Sequence, residues 1–136
     1  MSKLMTMDVL TPERTVCNVE VESVIARAVD GEVGILWNHA PLVVALDIAP
    51  LRYRQEGVEH EIAVCGGYME VRNNRISIIT PCAESESEID IRRAEAARER
   101  AAKRLAALTP EIDVERAEMA LRRALVRLKI AEHIRR

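Results

Sequence analysis

The stretch "EIDIRRAEAARER" (residues 88–100) marks the point where the chain changes its sequence period. Four arginines and four acids stand here among alanines, and the spacing is that of a helix. The residues before it alternate between apolar and polar side chains, as strands do. We therefore predict two units, a strand-rich domain at residues 1–86 and a helical unit at residues 87–136.

The helical unit carries start signals at two places. Ser87 is positioned to cap a first helix, with carboxylates in the first turn where the helix dipole favours them. Thr109 and Pro110 then break the chain and restart it, with Thr109 as cap and Pro110 at the first helical position. This arrangement predicts two helices joined by a short turn.

Apolar residues recur along both helices at heptad-like spacing. The first helix offers Ile91, Ala94, Ala101, Leu105 and Leu108, and the second offers Val114, Ala117, Leu121, Ala124, Leu128 and Ala131. The two seams predict an antiparallel hairpin. Alanine buries little area, and two helices alone have no third element to pack against. We therefore expect this hairpin to be marginally stable, so that a partner or ligand can shift the equilibrium between its folded and unfolded states.

The first 86 residues contain short β-branched segments separated by turn signals. Gln55, Glu56 and Gly57 form one predicted turn, and Asn73 with Asn74 forms a two-residue hairpin turn because Asn tolerates positive φ. No helical segment separates these strands, which disfavours a parallel β/α fold. The prediction is an α+β protein: an N-terminal antiparallel β-sandwich or flattened barrel, followed by the two-helix hairpin.

Charge is distributed unevenly between the two units. Residues 1–86 hold 13 acids and 7 bases, whereas residues 87–136 hold 9 acids and 13 bases. The overall net charge of −2 does not point to nucleic acid. The basic helical unit instead predicts affinity for anions or acidic surfaces.

The cysteines and the amino terminus carry weak signals. Cys17, Cys65 and Cys82 are widely spaced, and no CxxC pair occurs. We expect them to be reduced and to act as small apolar residues. The start "MSKLMTMDVL" lacks an apolar core of signal-peptide length, and we expect neither secretion nor membrane insertion.

Helix geometry predicts that four arginines converge. When the hairpin is folded about Pro110, Arg93 faces the neighbourhood of Arg127, and Arg100 lies about one turn from Arg123. Like charges at that end repel one another unless an anion compensates, and guanidinium groups suit phosphate oxygens.

Two acids lie near the same place in this folded hairpin. Glu84 and Asp90 offset part of the positive charge or accept hydrogen bonds from an exocyclic amine or a ribose hydroxyl. The alternative interpretation is that these arginines belong to a solvated helix face, laced by acids four residues away.

Three segments resemble the epsilon subunit of the bacterial rotary F-type ATP synthase. "GEVGILWNHAPLVVAL" (31–46) and "CGGYMEVRNNRISIIT" (65–80) are similar to its two sandwich signatures, and "EIDIRRAEAARERAAKRL" (88–105) is similar to the start of its hairpin. The resemblance implies a sandwich of about ten strands. One departure is clear: Trp37 and Asn38 replace the usual Pro-Gly, although Asn38 can still adopt a glycine-like φ.

The resemblance implies a role on the central stalk of the complex. The sandwich would pack on the gamma subunit and on the c-ring, at the cytoplasmic face of the bacterial membrane, and help couple proton flow to ATP synthesis. The loop around Glu32 and His39 would face the c-ring. The extended hairpin would reach the alpha and beta subunits and block ATP hydrolysis.

In members of this family that bind ATP, the folded hairpin carries an I-D-x-x-R-A motif. Ile89, Asp90, Arg93 and Ala94 match that motif in this chain. The full set of positions implied for regulatory ATP is Glu84, Ile89, Asp90, Arg93, Ala94, Arg100, Arg123 and Arg127. Falling ATP would then release the inhibitory, extended form.

No catalytic residue or metal site is expected. The sequence has no P-loop or nucleophile motif, and His39, His60 and His133 are scattered. We therefore expect a non-catalytic subunit. A free-standing ATP-sensing module and a small sandwich enzyme with a coiled-coil dimerisation tail remain the alternatives.

Overall fold

The computed structural model describes residues 3–107 and 113–134. The described chain has a strand-rich unit followed by a 3₁₀ turn and two helices, as predicted. The elements are β1 (Met5–Leu10), β2 (Thr15–Val21), β3 (Ser23–Ala28), β4 (Gly31–Leu36), β5 (Leu42–Gln55), β6 (Val58–Arg72), β7 (Arg75–Ile79), β8 (Ala83–Ser85), the 3₁₀ turn (Glu86–Glu88), α1 (Ile91–Ala107) and α2 (Val114–Ile134).

The strands form one sheet in the order β2-β1-β7-β6-β5-β3-β4, with β8 pairing separately to β6. Strands β5 and β6 are much longer than the others, and β6 pairs with β8 along its first half and with β7 along its second half. This divided pairing folds the sheet on itself into a sandwich. Counting each long strand as two gives the predicted ten.

One strand pair departs from the antiparallel prediction. β1 and β7 are parallel, with Met7 opposite Ile76 and Val9 opposite Ile78. A parallel pair joins segments that are distant in the chain, so local turn signals could not indicate it.

β6 runs through Gly66 and Gly67 without a break. Gly67 has φ +96°, and a Cβ there would lie 2.0 Å from the carbonyl oxygen of Ile79. Only glycine lets β6 bend this closely past β7. The two-residue turns are as predicted: Asn73 and Asn74 have φ of 49° and 59°.

The core is built from aliphatic side chains and methionine. Its fully buried members include Met5, Met7, Val9, Val21, Val24, Ile35, Ile62, Met69, Ile76 and Ile78. They come from strands on both sides of the fold, so the two layers are packed face to face.

The helix caps differ from the prediction for Ser87. The carboxylate of Glu88 accepts hydrogen bonds from the amide and hydroxyl of Ser85, which starts the 3₁₀ turn. Asp90 then caps α1 by accepting from the amide of Arg93. Ser87 is displaced from the cap because the 3₁₀ turn precedes the α-helix.

The second predicted start falls outside the described residues, where Leu108, Thr109 and Pro110 lie. In the described part, Asp113 caps α2 by accepting from the amide of Arg116.

The helices pack along the predicted alanine seam. Its buried members are Ala94, Ala101, Ala117, Ala124 and Ala131. Ile130 lies outside that seam, yet it is fully buried, and α2 also packs against β5 and β6. The sandwich therefore provides the third packing surface that the two helices lack by themselves.

The expectation that all three cysteines are reduced is wrong for two of them. Cys65 and Cys82 form a disulfide with Cα atoms 5.4 Å apart, and Cys17 is a half-buried free thiol. The amide of Cys65 donates to the carbonyl of Cys82, so backbone pairing brings the two residues together. Nothing in their spacing indicated this tertiary contact. Neither helix of the described residues has an apolar stretch that could span a membrane.

Candidate functional site

A cavity of about 360 Å³ lies between α1 and α2, at the end where the hairpin meets β8. It is lined by Glu84, Glu88, Asp90, Arg93, Ala94, Ala97, Arg100, Ala101, Arg104, Ala120, Arg123 and Arg127. The cavity thus draws residues from both helices, from the 3₁₀ turn and from the last strand. Its volume falls in the range of small-molecule sites.

The four arginines that helix geometry brought together all line this cavity. Arg93 and Arg100 reach it from α1, and Arg123 and Arg127 reach it from α2. Arg104 joins them one turn beyond Arg100, and the sequence reasoning missed it. An i+4 extension of the same helix face is the signal that could have found it.

The positive charge of the cavity is only partly neutralised. The Nε atom of Arg127 lies 2.5 Å from an Oε1 atom of Glu84, and both side chains are mostly buried. Within residues 3–107 and 113–134, no ion pair engages Arg93, Arg100, Arg104 or Arg123. Unpaired guanidinium groups that face one another in a partly enclosed site attract an anion.

Two of the acids that line the cavity, Glu88 and Asp90, are already bound to protein groups. Glu88 lies 2.8 Å from the guanidinium of Arg14 and accepts from Ser85. Partial burial raises the pKa of Glu88, but these hydrogen bonds and Arg14 outweigh burial and hold the pKa below its usual range. Asp90 is occupied by its cap bond to the Arg93 amide. Glu88 and Asp90 are therefore engaged by protein groups, while four of the five cavity arginines have no ion-pair partner among the described residues.

Alanines form the floor of the cavity. Ala94 and Ala101 are buried at 3% and 2% exposure, and Ala97 and Ala120 line the same wall. Their small side chains leave room for a ligand between the helices. Ile89, which the sequence placed in the same site, is half-buried between the 3₁₀ turn and α1 and does not line the cavity.

Polar contacts hold the hairpin against the sandwich near this cavity. Arg122 pairs with Asp47 of β5, and Arg127 pairs with Glu84 of β8. At the end of α2, the ring of His133 lies 2.5 Å from the carboxylate of Glu61. The hairpin is consequently in a folded position, which the sequence had left open.

His60 and His133, which looked scattered in the sequence, both serve the junction between the units. The ring of His60 lies 2.7 Å from the carboxylate of Glu86 and stacks on Tyr53. Burial, followed by the negative charges of Cys17 and Glu86, raises the pKa of Tyr53 to about 12.

In the described part of the chain, no group of His, Cys, Asp and Glu residues is arranged to hold a metal ion.

Glu32 and His39 are not brought together. Glu32 lies at the start of β4 and pairs with Arg52 at 2.9 Å. His39 follows the other end of the strand, about 13 Å or more along it, and its ring lies 2.6 Å from the carbonyl of Ala40.

The loop after β4 is tied to the neighbouring hairpin turn. Asn38 has φ +66°, the glycine-like conformation anticipated for it, and its amide donates to Asn74. Trp37 is 41% exposed, and the ammonium of Lys3 lies 5.0 Å from its ring centre. The large aromatic therefore stands at the surface of this end of the sandwich.

Comparison with known families matches both units of the chain. Residues 4–86 match the family model described as "ATP synthase, Delta/Epsilon chain, beta-sandwich domain". Residues 87–132 match the model described as "ATP synthase, Delta/Epsilon chain, long alpha-helix domain".

Similar proteins and structures agree with this match. An ATP synthase epsilon chain from Pelotomaculum thermopropionicum is 50% identical over 129 residues, covering 95% of this chain and 96% of that protein. One from Carboxydothermus hydrogenoformans is 51% identical over 104 residues, covering 76% and 78%. A chain in the mitochondrial ATP synthase structure of Euglena gracilis has the same fold, with a TM-score of 0.80 at 22% identity, covering 96% of this chain and 82% of that one.

Proposed function

Because this chain belongs to the delta/epsilon family of ATP synthase subunits, we propose that its hairpin cavity binds ATP as a regulatory ligand. The chain is a non-catalytic subunit of the epsilon type, as its relatives are. Membership of a complex favours this role over a free-standing ATP sensor or a sandwich enzyme.

In the proposed assembly, the sandwich docks on the gamma subunit and the c-ring at the cytoplasmic face of the membrane. The loop around His39, with Glu32 at the far end of β4, faces the c-ring. The hairpin alternates between the folded position and an extended one. When extended, the basic hairpin contacts acidic segments of the alpha and beta subunits and inhibits ATP hydrolysis.

The observation that carries the ATP proposal is the charge of the cavity. Five arginines and three acids line it, and two of those acids are already engaged by Arg14, Ser85 and the cap of α1. A triphosphate would supply the missing negative charge and accept several forked hydrogen bonds at once. Glu84 and Asp90 would lie near the ribose and base.

Binding would shift the population of hairpin states. The phosphates would contact arginines of both helices, so the ligand favours the folded state, in which those arginines face one cavity. A ligand present at 100 times its Kd stabilises the binding state by about 2.7 kcal/mol. That amount is large for a hairpin seamed by alanines, and no hydrolysis is needed.

ATP titration of the purified chain tests the cavity directly. Each charged hydrogen bond is worth about 1.5–3 kcal/mol, so Arg93→Ala should weaken ATP binding by about 10- to 100-fold. Arg98→Ala is the matched control, since Arg98 lies on the same helix, is exposed and does not line the cavity. Equal affinity for the original chain and Arg93→Ala would remove the proposal.

The alanine floor offers a second test by size. Ala94→Leu places a larger side chain where the ligand would lie and should reduce ATP affinity at least as much. Ala96→Leu adds the same volume at an exposed position of α1 and should leave affinity unchanged. If both variants bind ATP as tightly as the original chain, the ligand does not lie against Ala94.

The inhibitory role requires the whole complex. A chain ending at residue 86 should assemble with the gamma subunit, and the resulting complex should hydrolyse ATP faster at low ATP than the complex with the full chain. Identical hydrolysis rates would contradict inhibition by the hairpin. Failure of the full chain to co-purify with the complex would contradict the docking proposal.

A further inference from the structure

The Cys65–Cys82 disulfide lies next to the strand that completes the cavity. Cys65 lies in β6 directly before Gly66, and Cys82 immediately precedes β8. Strand β8 is only three residues long, and β6 is its ladder partner. The disulfide thus joins this short strand covalently to the sandwich.

β8 in turn holds the hairpin. Glu84, two residues after Cys82, binds Arg127 of α2, and Ser85 binds the Glu88 carboxylate at the start of the helical unit. If β8 becomes more mobile, the cavity is affected directly, because Glu84 of β8 is one of the residues that line it. The next connection between the units, Arg122 with Asp47, does not pass through β8.

We propose that Cys65 and Cys82 form a redox-controlled modification site that sets how firmly β8 presents Glu84 to the hairpin, and through it the affinity for ATP. The affinity part rests on the proposed function. A dithiol reductant of the thioredoxin class gives two electrons and two protons to the disulfide. The S–S bond breaks, Cys65 and Cys82 become thiols, and the reductant closes its own disulfide.

The surroundings of the pair suit a reversible change. Both cysteines are half-buried rather than sealed in the core, so a small dithiol can reach them. The Cys65 amide and the Thr80 hydroxyl each donate to the Cys82 carbonyl, and these bonds survive reduction. The reduced chain therefore keeps its fold while β8 loses its covalent tie. In the proposed cytoplasmic location, disulfides are commonly transient and redox-sensing.

The test compares the oxidised and reduced full chain. Alkylation with mass analysis should count one reactive thiol before dithiothreitol and three after it. Reduction should weaken ATP binding by on the order of three- to tenfold, the scale of coupling within one contact network. Hydrogen exchange of β8 and α2 should accelerate. Three thiols in a chain treated with diamide would show that the pair does not form and would overturn the proposal.

Variants separate this effect from other thiol chemistry. Cys82→Ser cannot form the disulfide, so its ATP affinity and hydrogen exchange should match those of the reduced chain and should not change with dithiothreitol. Cys17→Ser, which removes the half-buried free thiol, should respond like the original chain.

The outcomes also separate this inference from the ATP proposal. Equal ATP affinity and equal hydrogen exchange in both redox states would overturn the redox site and leave ATP binding intact. If neither state binds ATP, the ATP proposal and the affinity part fail together. Faster exchange of β8 and α2 on reduction would then still support redox control of hairpin docking, and unchanged exchange would overturn it.

Discussion

The sandwich and the hairpin are built from different kinds of buried side chain. The sandwich core contains isoleucine, valine, leucine and methionine, whereas the residues buried in the described helices are five alanines and Ile130. Burial of large apolar side chains contributes about 1.5–3 kcal/mol each, and alanine contributes far less. The sandwich can therefore hold itself together, while the hairpin depends on what it docks against.

The contact between the two units is also unlike the interior of either. Arg122 with Asp47, Arg127 with Glu84, and His133 with Glu61 connect α2 to the sandwich. Charged groups at a partly exposed interface regain water when the interface opens, so separation costs little. The sandwich is therefore held together by buried apolar side chains, whereas the docking of the hairpin relies largely on polar contacts that water can replace.

The largest effect on stability should come from the sandwich core. Ile78→Ala removes a fully buried side chain and should lower the free energy of unfolding by about 2–5 kcal/mol. Ile79→Ala is the control, since the neighbouring side chain is 55% exposed. Chemical denaturation measures both. Comparable losses at the two positions would contradict the assigned core.

The next effect should be confined to the hairpin. Ile130→Ala removes the one large buried side chain of the described helices and should cost about 2 kcal/mol of docking free energy. Hydrogen exchange should accelerate in α1 and α2 and stay unchanged in β5 and β6. The exposed Leu125 offers the control Leu125→Ala. If the amides of α1 and α2 in the original chain exchange as slowly as those of the sandwich, the hairpin is not the less stable unit.

A smaller effect should follow pH through Asp47. Partial burial raises the pKa of Asp47, but hydrogen bonds from Arg122 and the Ile48 amide outweigh burial and hold it below the usual 3.8. Since the folded-state pKa is lowered, the ionised carboxylate stabilises the folded state above pH 3.8, and this contribution is lost as the pH falls through the folded-state pKa.

Asp47→Asn should therefore lower Tm at pH 7, by the equivalent of less than about 1 kcal/mol, and the difference from the original chain should shrink in acid. Asp30→Asn makes the same charge change in an exposed turn and serves as control. A Tm difference that persists undiminished in acid would show that the carboxylate charge is not responsible.

The smallest effect is expected at the sandwich surface. Glu32 and Arg52 form an exposed pair, and such pairs contribute about 0.2–1 kcal/mol. A double-mutant cycle with Glu32→Ala and Arg52→Ala measures the coupling. A coupling energy well above this range would mean that the pair does more than an ordinary surface contact.

Much of the fold was predictable because its signals are local. The Asn73 and Asn74 turn, the alanine seam and the junction between strands and helices follow from neighbouring residues. The convergence of Arg93 and Arg127 was also predictable, because helix periodicity and one reversal of direction fix which residues face each other. Arg104 was missed although it follows the same periodicity.

Other features had no local signal. The parallel pairing of β1 with β7 joins segments near the two ends of the sandwich domain, and Cys65 meets Cys82 because β8 pairs with β6. Ile130 is not part of the predicted seam, yet it is fully buried in a helix that packs against β5 and β6. The register of the caps moved because a 3₁₀ turn precedes α1.

Side-chain period and turn chemistry act over a few residues, so the two kinds of unit and the arginine-bearing helix faces could be predicted from local sequence. The folded position of the hairpin, the contact of Glu84 with Arg127 and the bond between two distant cysteines arise from contacts across the fold. Those contacts depend on the pairing of β8 with β6 and on which face of α2 the sandwich covers, and neither follows from the residues of one strand or one helix.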